Sequence, residues 1–401
     1  MTVKATNGAA LGSAPTQAVV QKLQDVDASK VVVTLAESLK PVPPPEELVF
    51  GQTFTDHMVM VTYDPVNGWG TPEIKPYGPI SLDPASSIFQ YSTSAFEGMK
   101  AYVGPDGKPR LFRPELNMLR MKRSTARIAL PAFDADELLK LIKKLVALES
   151  RWIPNLKGHS LYIRPTIIGT RPSIGVRASD HAILYVICCP TGPYFRTGPK
   201  PVSLLAVGEQ VRSWPGGTGE FKLSINYTPT FHPQQLAAEK GYDQCLWLLG
   251  EDSHITEAGA MNFFVVVKRD DDHLDVYTPP LDGTILPGLT RASVLTLAAA
   301  HPGQTTLPYL PHTLKLHTHE RLITMTDLFS WHASGHLTEI FLVGTAAVVA
   351  TVGRVGFGDK VLEAPKCEGG LGPVARALYD RLTDIQEGKV EFQGWSVPID
   401  A

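Results

Sequence analysis

Apolar residues run through most of this chain in short clusters, and their spacing sorts them into strands and helices. MVMVTYD (58–64) and KAYVG (100–104) have strand length, with Pro and Gly punctuation between them. RPELNMLRMKRSTARIAL (113–130) predicts a helix, with Pro114 in the first turn and Leu116, Leu119 and Arg120 at helical spacing. ADELLKLIKKLVALESRWI (135–153) is amphipathic, because Leu138, Leu141, Ile142 and Leu145 fall on one face. LYIRPTIIG (161–169) and AILYVICCP (182–190) read as a pair of buried strands. After the Pro- and Gly-rich stretch 191–201, VSLLAVG, QCLWLLG, NFFVVVKR and EIFLVG read as strands. PQQLAAEKG, TRASVLTLAAA and the last helical stretch GPVARALYDRLTDIQEG alternate with them.

This pattern predicts a loose tail over 1–45, a small α+β domain over 46–190, a connector over 191–201 and a larger α/β domain over 202–401. The length agrees, since 401 residues at roughly 150 per domain suit two domains. A net charge of −3 without a basic stripe argues against nucleic acid or an anionic membrane as partner. Four cysteines make no disulfide scaffold and fit a reducing compartment. The first thirty residues hold no Arg and no apolar core, so the cytoplasm is the expected compartment, with the mitochondrion as the open alternative. No apolar run reaches the roughly eighteen residues of a membrane span.

Some leads carry little. His312, His317, His319, His332 and His336 match no zinc spacing, so no metal is expected. Cys188 and Cys189 are adjacent within a strand and suggest no redox pair, and GGTG (216–219) is a weak phosphate loop. A better constellation begins with Lys222 and Tyr227 in GGTGEFKLSINY, followed by Glu257 in ITEAGAMNFFVVV. Pro287-Gly288 then opens a helix whose first N–H groups, on Leu289 and Thr290, suit a phosphate. FLVGTAAV adds a Gly-Thr-Ala turn. Pyridoxal phosphate needs such parts: a lysine, an acid for the pyridine nitrogen, and an anion cradle. Taken singly, the lysine reads as a surface charge and the acid as an exposed loop residue rather than as parts of a site.

FTDHMVMVTYD, QYSTSAFEGMKAY, RLFRPELNMLRMKRS, LYIRPTIIG, the Lys222 segment, ITEAGAMN, PPLDGTILPGLTR and VGTAA follow one another over residues 48–360. In that order they resemble the branched-chain amino acid aminotransferases, which are fold-type-IV pyridoxal-phosphate enzymes. The resemblance implies an α/β fold, with a smaller α+β N-terminal domain and a larger pseudo-barrel C-terminal domain. It implies transfer of the amino group of L-leucine, isoleucine or valine to 2-oxoglutarate by a homodimer. Lys222 would be the Schiff-base lysine and proton shuttle, Glu257 the acid at the pyridine nitrogen, and Tyr227 the phenol at the 3′-oxygen. Arg120, Leu289, Thr290 and Thr345 would hold the phosphate, with Leu286 packed on the ring.

By the same resemblance, Phe54, Tyr91, Phe96, Tyr162 and Val176 would line the substrate pocket, Tyr91 and Val176 reaching it across the dimer interface. Arg164 would meet the distal carboxylate of glutamate, and the Ala346 N–H the α-carboxylate. Tyr194 would lie in a mobile interdomain loop. The chain departs from the family pattern at Ser224 and Ile225, where a Gly-Gly pair is usual, which would narrow the site or alter its substrate range. It departs again at Ala260, in place of Thr, and at Ala347 and Ala350, in place of a Cys pair. The rival activities are a D-amino-acid or (R)-amine transaminase, an aminodeoxychorismate lyase, and a cofactor-binding protein without turnover.

Overall fold

The computed structural model describes residues 23–193, 200–367 and 369–400. Two sheets organise it. The first has ten strands, and its centre is the long antiparallel pair Ser160–Gly169 and Ala182–Thr191. His57–Asp64 flanks this pair on one side and Met99–Val103 on the other. The Ala135–Leu148 helix covers the sheet with Leu138, Leu141, Ile142, Leu145 and Val146, the face that the sequence period predicts. Asp134 caps its start, accepting from the N–H groups of Asp136 and Glu137 at 2.8 and 3.1 Å.

The Pro114–Arg127 helix departs from its expected face. Leu119 is 60% exposed, whereas Asn117, Met118, Arg120, Met121, Ser124 and Thr125 are buried. Its inward side therefore carries polar groups, which a search for apolar periodicity reads as solvent-facing.

The second sheet has nine strands, and six of them close on themselves. Starting from His254–Ala258, the ring runs through Gln244–Leu249, Val202–Val207, Val348–Phe357, Leu337–Gly344 and Met261–Lys268. The pairs Glu257↔Asn262 and Ala258↔Met261 join the last strand to the first. This closure makes the expected pseudo-barrel. Both faces of Met261–Lys268 are buried: Phe263, Val265 and Val267 join one core, Phe264 and Val266 another beneath the C-terminal helix Pro373–Gln386. Such a strand reads as a continuous apolar run, which is the NFFVVV of the sequence.

Two boundaries differ from the sequence expectation. Part of the supposed tail is built into the fold: Val26 and Ala28 join the first core, and Val32–Val33 pairs with Glu73–Ile74. So short an apolar signal among polar residues shows no period. At the other end, Ser396–Pro398 leaves the second half and pairs with Arg110–Phe112 of the first sheet.

Candidate active site

Lys222 lies after the connector in sequence but is gripped by the first domain. Leu223 is buried in the first core and bridges Ala95. The Lys222 N–H donates to Ser124 Oγ at 2.8 Å, and its carbonyl accepts from Phe96 N at 3.2 Å. Asn226 ties the following turn with bonds from its amide to the carbonyls of Thr218 and Phe221, 2.9 and 2.7 Å. The side chain is thereby delivered into a cavity of about 220 Å³ between the two sheets. There Lys222 Nζ donates to Tyr227 Oη at 3.2 Å and stands 5.0 Å from the centre of the Phe96 ring.

Glu257 sits at the barrel closure, buried in the wall of this cavity. Its Oε1 accepts from Asn262 Nδ2 at 3.1 Å, and its Oε2 lies 2.6 Å from Arg212 Nη1. That second contact is an ion pair out of line for a hydrogen bond, so Oε2 keeps capacity to accept one. Burial pushes the Glu257 carboxyl above its ordinary range, and the Arg212 guanidinium pulls against that shift. A ring N–H placed here would complete the carboxylate.

Another part of the cavity wall suits an anion. The Leu289–Ala300 helix starts at the cavity wall, and its N-cap Gly288 offers no side-chain cap to the first N–H groups. Gly288 is required there, because a Cβ would meet Asn262 Oδ1 at 2.0 Å. Thr290 and Thr345 line the same cavity. Arg120 joins them, with its guanidinium fixed by Glu97: Nε donates to Oε1 at 2.7 Å and Nη2 to Oε2 at 2.9 Å. Burial alone would raise the Glu97 carboxyl, but the paired Arg120 more than reverses this and holds it below its ordinary range. A buried carboxylate acceptor, an anion cradle and a lysine in one cavity fit pyridoxal phosphate.

On the substrate side, Tyr162 Oη accepts from Arg164 Nη2 at 3.0 Å, and the guanidinium lies 4.8 Å from the Phe96 ring centre. Arg164 Nε is buried without a partner. Gly98 leaves room for this arrangement, since a Cβ would meet Tyr162 Oη at 2.1 Å. Leu286 and Ala346 complete the wall.

A profile of the family Amino-transferase class IV matches residues 94–355. The chain belongs to that family. The cytosolic branched-chain-amino-acid aminotransferase of Saccharomyces cerevisiae is 44% identical over 93% of this chain and 98% of its own length. The cytosolic enzyme of that name from Mus musculus is 44% identical over 93% of each. Such likeness places this aminotransferase in the branched-chain group. The solved branched-chain amino acid aminotransferase of Thermobaculum terrenum, in its PLP-form, matches at a TM-score of 0.66, covering 87% of this chain and 100% of that one. At 20% identity it shows the shared fold. Relatives include cytosolic and mitochondrial proteins, and no helix among the described residues is long and apolar enough to cross a membrane.

Phe54 stacks on Tyr77 with ring centres 5.0 Å apart and does not line the cavity, whereas Phe50 does. Tyr91 and Val176, expected to reach a partner's pocket, lie off this chain's own cavity: Tyr91 hydrogen-bonds the Ile174 carbonyl, and Val176 is 87% exposed. Tyr194 lies outside the described residues. Ser224 and Ile225 do not line the cavity, so they do not narrow it, whereas Ala260 and Ala347 do line it. Glu97, Arg212 and Asn262 are site residues that the sequence left without a role. Glu97 stands inside the FEGMKAY motif, and the motif itself was its only signal.

Proposed function

We propose that this class IV aminotransferase transfers the amino group of L-leucine, isoleucine or valine to 2-oxoglutarate in two half-reactions, using pyridoxal phosphate in the Lys222 cavity. The observation that carries this is the presence of three groups in one cavity: the buried Glu257 carboxylate, Lys222 Nζ and the uncapped helix at Leu289. Bound there, the cofactor supplies an electron sink for charge developing at the amino-acid Cα.

The protein's own groups do the rest. Arg120, Thr345 and the N–H groups of Leu289 and Thr290 hold the phosphate, while Leu286 and Tyr227 position the ring and its oxygen. Glu257 keeps a proton on the ring nitrogen. Among the described residues Lys222 is the only lysine lining the cavity, so its free amine removes the proton at Cα and returns it to the product. Phe50, Phe96 and Tyr162 receive the aliphatic side chain, and the Ala346 N–H meets the α-carboxylate. Arg164 pairs with the distal carboxylate of glutamate, which an apolar pocket would otherwise reject. Tyr91 and Val176 serve the pocket of a partner subunit in a homodimer, which sedimentation of the purified enzyme tests.

Spectral titration of the holoenzyme with L- and D-leucine tests the reading. Conversion of the cofactor band by the L-isomer alone is expected. Conversion by D-leucine or by a simple (R)-amine would assign a sister activity, and no response to any amino acid would reduce the protein to a cofactor binder.

A further inference from the structure

Lys100 is a second lysine beside the site, and it has no part in the chemistry above. It stands on Met99–Val103 of the first sheet, half-buried, in a cleft of about 360 Å³ behind the active-site wall. Among the described residues no carboxylate lines that cleft; Lys157 and Arg376 add further positive charge. The one hydrogen bond that the Lys100 ammonium makes there crosses to the second domain, with Nζ donating to the Ala346 carbonyl at 2.8 Å.

The acceptor belongs to an unusual turn. Gly344 pairs with Val348, closing Thr345–Ala347 into a tight connection between Leu337–Gly344 and Val348–Phe357. Val348 adopts φ +62°, a region costly for a β-branched residue. Such a conformation persists where its surroundings hold it, and Lys100 is one of the holds. Ala346 and Ala347 line both the active-site cavity and the cleft behind it, whereas Lys100 lines only the cleft. The turn is a wall one peptide thick.

A trans peptide is planar, with its C=O and N–H pointing in opposite directions. Fixing the Ala346 carbonyl toward Lys100 on the cleft side turns the Ala347 N–H toward the cavity side. The ammonium also polarises that peptide and strengthens the N–H as a donor. We propose that Lys100 is a positioning residue, which clamps the Ala346–Ala347 peptide so that its N–H faces the substrate and binds the α-carboxylate beside the Ala346 N–H. The assignment rests on the reading that an amino acid places its α-carboxylate at this turn. It separates the two lysines of the site: Lys222 acts on the reacting atoms, and Lys100 acts through the turn.

The test is Lys100→Met in the holoenzyme, with kcat and KM for L-leucine and the dissociation constant of 4-methylpentanoate, an analogue that keeps the carboxylate and lacks the amine. Loss of the clamp should raise KM and that dissociation constant about tenfold, the worth of one hydrogen bond to a charged group. The cofactor spectrum and kcat should stay within about threefold of wild type, and the melting temperature should not fall, because an enclosed ammonium without a carboxylate is itself costly. Lys100→Gln, which shortens the side chain and removes the charge, should behave alike and decides the matter if the Met variant does not fold. Unchanged KM and analogue binding would overturn the proposal, as would a fall in kcat and melting temperature at constant KM, the mark of a merely structural brace. A wild-type enzyme that ignores leucine would sink the underlying reading of the site, and the clamp with it.

Discussion

Glu97 and Arg120 meet as a two-pronged pair in the wall of the cofactor cavity, with 2.7 and 2.9 Å bonds from Nε and Nη2. Asn117 Nδ2 adds a bond to Glu97 Oε2 at 2.7 Å, and Arg120 Nη1 reaches the Pro287 carbonyl at 3.0 Å. The arginine is thus oriented at both ends before any phosphate arrives. Glu97→Gln should destabilise the apoenzyme by about 3 kcal/mol, because it leaves a buried guanidinium without its counter-charge. The holoenzyme should lose less, since the phosphate supplies a substitute. Denaturant melts of both forms check this; equal losses would mean that Arg120 does not meet the phosphate.

The same pair gives a pH dependence. The Glu97 carboxyl is held below its ordinary value in the folded protein. Its contribution is therefore present in full above the ordinary glutamate range and is lost as pH falls through the depressed folded value. The stability gap between wild type and Glu97→Gln, followed from neutral to acid pH, should narrow on the acid side only. A gap that stays constant would show that the pair does not carry the difference.

Glu257→Gln should retain cofactor, because the phosphate end is untouched, but should slow each half-reaction about a hundredfold by weakening stabilisation of the developing charge. Stopped-flow single turnovers measure it. A wild-type rate would remove Glu257 from the ring nitrogen.

Arg164→Met should weaken glutamate and 2-oxoglutarate about ten- to a hundredfold, from the 1.5–3 kcal/mol of a charge-assisted bond, and leucine far less. Parallel half-reaction titrations separate this from a bracing role, in which both substrates would suffer alike.

The thiols should be silent. Burial raises Cys188 well above its ordinary range and Cys245 to about 11, raises Cys189 and Cys367 as well, and none of the four lines the cavity. Activity should survive mild peroxide and ignore reductant. Loss restored by dithiothreitol would expose a reactive cysteine.

Much of the fold follows from period alone, as the Leu138–Leu145 face of the amphipathic helix and the doubly buried Phe263–Val267 run show. The barrel closure does not, because the Glu257↔Asn262 pair depends on a sheet returning to its own first strand. Among site residues, Lys222, Glu257 and the Leu289 helix start were legible because each carries its chemistry locally. Glu97 and Arg212 were not, since a buried charge has meaning only with its partner, here Arg120 and Glu257, which lie 23 and 45 positions along the chain. Phe54 failed for a related reason: which of two nearby aromatics turns inward is decided by packing, and Tyr77 draws Phe54 outward.

The central claim is that Lys222, held at 3.2 Å from Tyr227 Oη, is the amine that carries the cofactor. Borohydride reduction of the holoenzyme followed by peptide mapping tests it directly, by fixing the cofactor to whichever lysine holds it. The account predicts the added mass on the peptide containing Lys222, and none in a Lys222→Ala variant, which should also lose nearly all transamination while remaining folded. Label on Lys100 or any other lysine, or wild-type turnover by Lys222→Ala, would contradict it.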